Sequence, residues 1–243
     1  MTIGNLIARA TSRLPWVKRR ANKLSHRNSL SRLKALGFAP ATIYDIGAYR
    51  GDWSRLAEEI FPSATCILFE ANADNAVHLQ AFGRRHFTVA LADTDGDKTF
   101  FLPRAGNAMG ASLYLENTAH YAEENLVART VATARLDTLV KANGLPPADL
   151  IKIDVQGAEL DVIAGATEAI DRCDALIAEL SLASYNKGAP LVADVMPVIA
   201  QRGLRCIDVC ELHRRPAGGV LQVDFLFVKP KLFDRFCAQV GLR

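Results

Sequence analysis

No apolar run in this 243-residue chain approaches the roughly 18 residues of a membrane span, and arginines are scattered through an N-terminus that has no apolar leader core. A cytoplasmic protein is therefore expected. Cysteine is limited to five residues, an odd number with no C-x-x-C pair, which argues against a zinc site or a disulfide framework and fits reduced thiols. Cys206 and Cys210 stand four apart on an expected strand, and that even spacing predicts one shared, buried face. His26, His78, His86 and His120 show no metal-ligand spacing, and no internal repeat is present. Acidic residues are missing altogether ahead of Asp45, whereas nine basic ones precede it, from Arg9 to Lys34; the remaining 20 Lys and Arg face all 26 Asp and Glu. The net charge of +3 thus conceals a basic arm, residues 1–36, on a mildly acidic domain, residues 37–243.

Within the arm Ile3, Ile7, Ala10, Leu14, Val17, Ala21 and Leu24 recur in steps of four and three, which predicts a helix with one apolar stripe opposite its arginines and a kink at Pro15. Such a helix has three uses. It packs over the domain or a second subunit, giving a homo-oligomer; it lies on an anionic membrane, giving a peripheral protein at the inner face; or it meets nucleic acid, the least favoured of the three. A further short helix over 29–36 should stop at Gly37.

Half of the residues are apolar, enough for a sizeable core. Strands are expected at 42–46, 65–70, 86–92, 98–102, 130–134, 150–154, 175–180, 204–209 and 222–228. Helices are expected at 52–61, 72–82 (capped by Asn72), 136–143, from Glu159 onward, and at 190–201. Strands separated by helices mean a largely parallel sheet, and the last two, with no helix between them, imply a reversed final strand. From 103 to 129 the pattern loosens: Gly106, Asn107, Gly110 and Ser112 mark a loop, and 117–127 reads as a polar helix or lid. A loop this long is a candidate cover for an active site.

The chain is organised around Asp45-Ile-Gly47-Ala48-Tyr49-Arg-Gly51, which follows the first strand, and Glu70, which ends the second. A G-x-G-x-x-G dinucleotide turn fails here because Tyr49 holds its second glycine position. What remains, D-x-G-x-x-x-G, puts a carboxylate where it would repel a pyrophosphate and suit an ammonium group. Glu70 is placed to accept hydrogen bonds from ribose hydroxyls. A ligand with a cation and a ribose points to S-adenosylmethionine, and the pocket is expected to take in Ala48, Tyr49, Ala71, Asn72 and Ala90 beside Asp45, Gly47, Gly51 and Glu70.

These residues resemble the FkbM family of S-adenosylmethionine-dependent methyltransferases. Asp45-Ile-Gly-Ala with Gly51 is similar to its first motif and Phe69-Glu-Ala71 to its second. Arg135-Leu-Asp137 with Ile151-Lys-Ile-Asp-Val-Gln-Gly-Ala-Glu159 resembles its most recognisable block, and Glu179-Leu-Ser181, Tyr185 and Asp224-Phe-Leu-Phe227 extend the match over 37–230. The family often has Asn at the position of Tyr49. The resemblance implies an α/β, Rossmann-like methyltransferase fold, a seven-stranded mostly parallel sheet with the last strand antiparallel. It also implies methyl transfer to a hydroxyl, often of a sugar or polyketide, and leaves the basic arm outside it.

On that resemblance the site lies between the first strand and the one ending at Asp154. Asp154 is then expected near the methyl group, to orient the acceptor, accept its proton or ligate a metal. Glu179 ends the adjacent strand, and with Asp154 could hold Mg²⁺; the alternative is that Glu179 or Glu159 caps a helix or pairs with a lysine. Tyr185 and His213 are candidates for the wall around a small-molecule or glycan acceptor, and Lys152 for pairing with a neighbouring acid. The leading expectation is an O-methyltransferase acting on a sugar, polysaccharide or lipid-linked glycan. Behind it stand methylation of a natural-product hydroxyl or amine, an RNA methyltransferase, which lacks an N/D-P-P-Y signature here, and a cofactor-binding scaffold without turnover.

Overall fold

Five consecutive buried residues, Thr42–Ile46, form β1, and their alternation assigns Tyr44 and Ile46 to one apolar layer and Ile43 to another. A strand buried on both faces belongs inside a parallel sheet covered by helices on each side. The computed structural model, which describes residues 24–106, 108–215 and 218–242, has that architecture. In chain order the helices are α1 (His26–Ala35), α2 (Asp52–Ile60), α3 (Ala76–Phe82), α4 (Leu136–Asn143), α5 (Glu159–Gly165), α6 (Thr167–Arg172), α7 (Val192–Gln201) and α8 (Pro230–Gln239). The remaining strands are β2 (Thr65–Glu70), β3 (His86–Thr88), β4 (Ala90–Leu91), β5 (Gly96–Pro103), β6 (Leu126–Ala134), β7 (Leu150–Ile153), β8 (Ala175–Ser181), β9 (Arg205–Arg214) and β10 (Val220–Val228).

The main sheet runs β3-β2-β1-β7-β8-β10-β9, and only β10 is antiparallel to its neighbours. This is the expected seven-stranded, mostly parallel sheet with its last strand reversed. Leu30 and Leu33 of α1, Ala57 and Ile60 of α2, Leu79 of α3 and Leu232 of α8 fill the layer on one face. The other face is packed by Leu136 and Leu139 of α4, Val162 and Ile163 of α5, Ile170 of α6, and Val195 and Ile199 of α7. Among the described residues no helix is long and apolar enough to cross a membrane.

Several expectations change. The expected arm helix lies outside the described residues except at its last position, Leu24, which is exposed. The following helix starts earlier than expected, at His26, because the Ser25 side chain accepts a hydrogen bond from the Asn28 N–H and caps it. Its Leu30 and Leu33 are fully buried in the sheet core, so this helix belongs with the domain and not with the arm in which the boundary at 37 placed it. The single strand expected at 86–92 divides at Val89: β3 pairs with β2, whereas β4 joins β5 and β6 in a separate three-stranded sheet. Cys206 is exposed although Cys210 is buried. Register shifts between Asp224 and Phe225 and between Leu226 and Phe227 break the alternation between the two cysteines on β9.

In the segment expected as a polar helix, residues 117–127, two short 3₁₀ turns at Ala119–Tyr121 and Glu123–Asn125 lead straight into β6. Asn125 diverts the backbone there: its Nδ2 donates to His120 O at 2.7 Å, and its Oδ1 accepts from Ala105 N at 3.1 Å. The C-terminal α8 was not anticipated, although Pro230 at its first turn and Leu232, Phe233 and Phe236 at helical spacing mark it.

Candidate active site

β1 and β7 are neighbours, and the chain leaves them toward opposite edges of the sheet, which opens a crevice at their carboxyl ends. The turn after β1 is held by Gly47 and Ala48 N–H groups donating to Phe69 O at 2.9 and 3.1 Å. Gly47 has φ +78°, and a Cβ there would stand 1.7 Å from the Asp154 carbonyl oxygen, so glycine is demanded both by conformation and by the close approach of the β7 end. Gly51, at φ +80°, starts α2. Tyr49 adopts φ +50°, a conformation that Asn tolerates better than Tyr. Its N–H donates to Glu70 Oε2 at 2.7 Å, and Asn72 N donates to Glu70 Oε1 at 2.7 Å.

A cavity of about 320 Å³ lies over these strand ends. Of the residues expected at the cofactor, Gly47, Tyr49, Glu70, Ala71, Ala90 and Asp154 line it. Four expected cofactor residues do not line it. Asp45 is fully buried on the α2 face because alternation along β1 aligns it with Ile43; its carboxylate accepts from Ser54 Oγ at 2.7 Å, and burial pushes its pKa up against the pull of Lys152. Ala48 packs into the core behind the turn, and Gly51 lies beneath it against Leu68 and Phe82. Asn72 lines an adjoining cleft, where its side chain accepts from Asp74 N at 3.1 Å and caps the turn before α3.

Glu70 is buried, and despite its two backbone N–H donors that burial raises its pKa to about 7. The Asn75 side chain is a further partner, and the two oxygens, with about four lone-pair positions between them, still have room for a ribose hydroxyl. The loop after β5 roofs the cavity with Ala108, Met109, Gly110, Ala111 and Leu113. Ser112 fixes that roof: its backbone pairs with Phe101, and its Oγ donates to Val155 O at 2.9 Å.

The far half is walled by Gln156, Glu179, Tyr185, His213 and Gln222 as well as Asp154. Here stand Asp154 and Glu179, the two carboxylates expected as a Mg²⁺ pair. Asp154 Oδ2 accepts from Lys152 Nζ at 2.8 Å, and one amide, Gln156 Nε2, donates both to Asp154 Oδ1 at 2.9 Å and to Glu179 Oε2. The Gln156 amide therefore bridges Asp154 and Glu179, and the Lys152 ammonium takes the other oxygen of Asp154. Lys152, 5.7 Å from the Trp53 ring centroid, is buried; burial works against its charge, yet Asp154, Asp45 and Asp224 hold its pKa above the ordinary lysine range. Glu179 is also buried, and burial together with Asp154, Asp224 and Glu159 raises its pKa well above the carboxylate range. Burial and Glu116 push the Tyr185 phenol up as well, so it serves as a hydrogen-bonding group rather than a base near neutral pH.

Glu159 neither lines the cavity nor pairs with a lysine. It accepts from Gly157 N at 3.0 Å and Val155 N at 3.3 Å and so braces the loop that carries Gln156, itself at φ +55°. Sequence reasoning missed His26 and the place of Asp224 beside His213. Asp224 Oδ2 lies 3.0 Å from His213 Nε2 and 3.6 Å from His26 Nε2. Burial pushes the Asp224 carboxyl up, but these two histidines hold it well below the usual range. The buried Asp224 was visible as an acid inside an apolar strand; nothing local marks His26, which reaches the cluster from α1.

A Rossmann-like sheet with a glycine turn after its first strand, an acid ending the second and further carboxylates at the switch point is the arrangement of a nucleoside-binding α/β fold. The family profile described as "Methyltransferase FkbM domain" matches residues 45–206, and the chain belongs to that family. Among curated proteins it is similar to the 2-O-methyltransferase NoeI of Sinorhizobium fredii, 30% identical over 172 residues that cover 64% of this chain and 70% of NoeI. It is also similar to the AMB antimetabolite synthetase AmbE of Pseudomonas aeruginosa, 28% identical over 164 residues; these span 53% of this chain but only 8% of AmbE. Among solved structures, methyltransferase FkbM from Methylobacillus flagellatus KT aligns at 14% identity and TM-score 0.49, over 76% of this chain and 43% of that one. Magnesium protoporphyrin IX methyltransferase from Synechocystis PCC 6803 aligns at 12% identity and TM-score 0.47, over 84% and 79%.

Proposed function

We propose that the protein is an S-adenosylmethionine-dependent O-methyltransferase whose acceptor is a hydroxyl of a sugar, within a polysaccharide or on a lipid-linked glycan. The observation that carries this reading is the division of the cavity. One half has the glycine turn and Glu70, and the other is lined by hydrogen-bonding side chains, Gln156, Glu179, Tyr185, His213 and Gln222. A wall of donors and acceptors suits a polyhydroxylated ligand better than a flat aromatic one. The similarity to NoeI, named a 2-O-methyltransferase, supports oxygen as the acceptor atom.

S-adenosylmethionine, when bound, supplies an activated methyl group on a sulfonium. The chain's own work is to hold the acceptor oxygen in line with that group and to manage one proton. Glu70 receives the ribose hydroxyls. Asp154, fixed by Lys152 and Gln156 with its carboxylate on the cavity wall, orients the acceptor or takes its proton. Tyr185 and His213 contact the acceptor. A divalent ion enters this reading through Glu179 and not between Glu179 and Asp154.

The test supplies the full chain with methyl-labelled cofactor and with pools of polysaccharide, lipid-linked glycan, amines and RNA. Alkali-stable label in a sugar ether is the expected result; label confined to amines or RNA overturns the reading. An amine acceptor is the second reading, favoured by the surplus of buried carboxylates at the acceptor end. For the basic arm two proposals stand, packing against the domain or a second copy and contact with an anionic surface. Deleting residues 1–23 separates them: the first expects a lower melting temperature or a changed oligomer, the second a loss of flotation with anionic vesicles.

A further inference from the structure

We propose that Glu179, His213 and Asp224 bind a divalent first-row metal cation at the acceptor end of the cavity. This deepens the reading above and rests on it for what the ion does, though not for its binding. His213 Nε2 lies 3.2 Å from Glu179 Oε1 and 3.0 Å from Asp224 Oδ2, and the three atoms all lie within 4.8 Å of one another. A cation about 2.1 Å from each ligand sets neighbouring ligand atoms about 3.0 to 3.4 Å apart, which matches both separations at His213. The imidazole nitrogen carries at most one hydrogen and cannot make a full hydrogen bond to both carboxylates.

The surroundings favour a cation over a second proton. Asp45, Asp154, Glu179 and Asp224 are gathered on one face of the sheet, where the ammonium among them is Lys152, already bonded to Asp154. Carboxylates taken out of water without a partner are costly, and a divalent cation offsets that cost. The outer shell is also built. Gln222 Nε2 donates to Glu179 Oε2 at 2.8 Å and leaves Oε1 for the ion. Trp53 Nε1 donates to His26 Nδ1 at 3.1 Å, which puts the His26 hydrogen on Nε2, facing Asp224 and Glu211 at 3.6 and 3.7 Å. His26 is therefore a supporting donor, and of the two groups that share Asp224 the one containing His213 is the ligand set.

One imidazole and two carboxylates suit Mn²⁺, Fe²⁺, Co²⁺ or Zn²⁺ better than Mg²⁺, which prefers oxygen alone. Glu179 and His213 border the cavity, so the open coordination positions face the acceptor. A hydroxyl bound there releases its proton to solvent more readily. Its oxygen lone pair then forms the C–O bond while the S–CH₃ bond breaks, its electron pair passing to sulfur and leaving a neutral thioether.

The experiment uses the full chain freed of metal by chelation and follows Mn²⁺ uptake by the loss of the free-ion electron paramagnetic resonance signal. Saturable uptake of a single ion is expected, weakened at least tenfold in both His213→Gln and Asp224→Asn and unchanged in Asp171→Asn, which lies on the exposed end of α6. Circular dichroism melts establish that each variant is folded. Absence of uptake by the wild type, or uptake unaltered in both ligand variants, overturns the proposal. Binding of the demethylated cofactor to the metal-free protein, measured by calorimetry, reports on the methyltransferase reading separately. Cofactor binding without Mn²⁺ uptake removes the metal alone, and Mn²⁺ uptake without cofactor binding removes the proposed function while the metal site stands.

Discussion

Where the cavity meets β1 and β2, its walls are a glycine turn held by backbone bonds and one carboxylate, Glu70; where it meets β8 and β10, they are side chains carrying several buried charges around one ammonium. The first end gets its shape from conformation. The second gets its shape from electrostatic balance, with Lys152 bonded to Asp154, Gln156 shared between Asp154 and Glu179, and His213 shared between Glu179 and Asp224. The contrast teaches that the two ends should fail differently. At the first, a methyl group in the wrong place is ruinous; at the second, a missing charge is.

The largest effect is expected from Lys152→Met, which keeps the stem and removes the cation among Asp45, Asp154 and Asp224. Leaving buried carboxylates unpaired should cost about 3 to 5 kcal/mol in denaturant unfolding, and adding Asp154→Asn should restore part of it. A loss under about 1 kcal/mol would show that water or rearrangement already balances these charges, and the contrast would collapse. Gly47→Ala comes next, at about 3 kcal/mol, from the clash with the Asp154 carbonyl and the left-handed backbone. Cofactor binding should disappear with it; a stable, binding-competent variant would show that conformation does not govern this end.

Glu70→Ala should weaken binding of the demethylated cofactor by about 1 to 3 kcal/mol in calorimetry with little loss of fold. The Glu70 pKa also has a direction that can be checked. Raised to about 7 by burial, it makes the cofactor-free protein bind more protons than the unfolded chain between the ordinary glutamate range and pH 7. Stability from this group is full at low pH and is lost as pH rises through that window. Ribose hydroxyls donate to the carboxylate, so cofactor affinity should rise with pH up to about 7, by at most about tenfold per unit. Glu70→Gln should flatten both profiles, and a slope that survives in Glu70→Gln would move the titration to another group, with Glu159, also raised to about 7, the first to test. The smallest effect belongs to Tyr49→Asn, which eases the φ +50° backbone and should raise the unfolding free energy by less than about 1 kcal/mol. A fall would mean that the Tyr49 ring, 5.0 Å beneath the Arg50 guanidinium, contributes more than the strain costs.

Local sequence by itself determined the turn at the β1–β2 end of the cavity and the frame that carries it. Apolar runs, a glycine turn and an acid at a strand end are read within a span as short as Asp45 to Glu70, because strand alternation and left-handed glycine are properties of neighbouring residues. Even there the tertiary structure decided which face Asp45 uses, and it turned a carboxylate expected at the cofactor toward Ser54. It likewise moved α1 from the arm into the core through Leu30 and Leu33, and exposed Cys206 by two irregularities in the β9–β10 register. At the β8–β10 end of the cavity the sequence named candidates, and the contacts among them were decided in three dimensions. His26, Lys152, Glu179, His213 and Asp224 come from five different elements, and although Lys152, Glu179 and His213 were singled out one by one, no local pattern joins the five. Only a folded sheet brings them within a few ångströms, and it is their mutual field, not the identity of any one of them, that sets their charge states and what the site can bind.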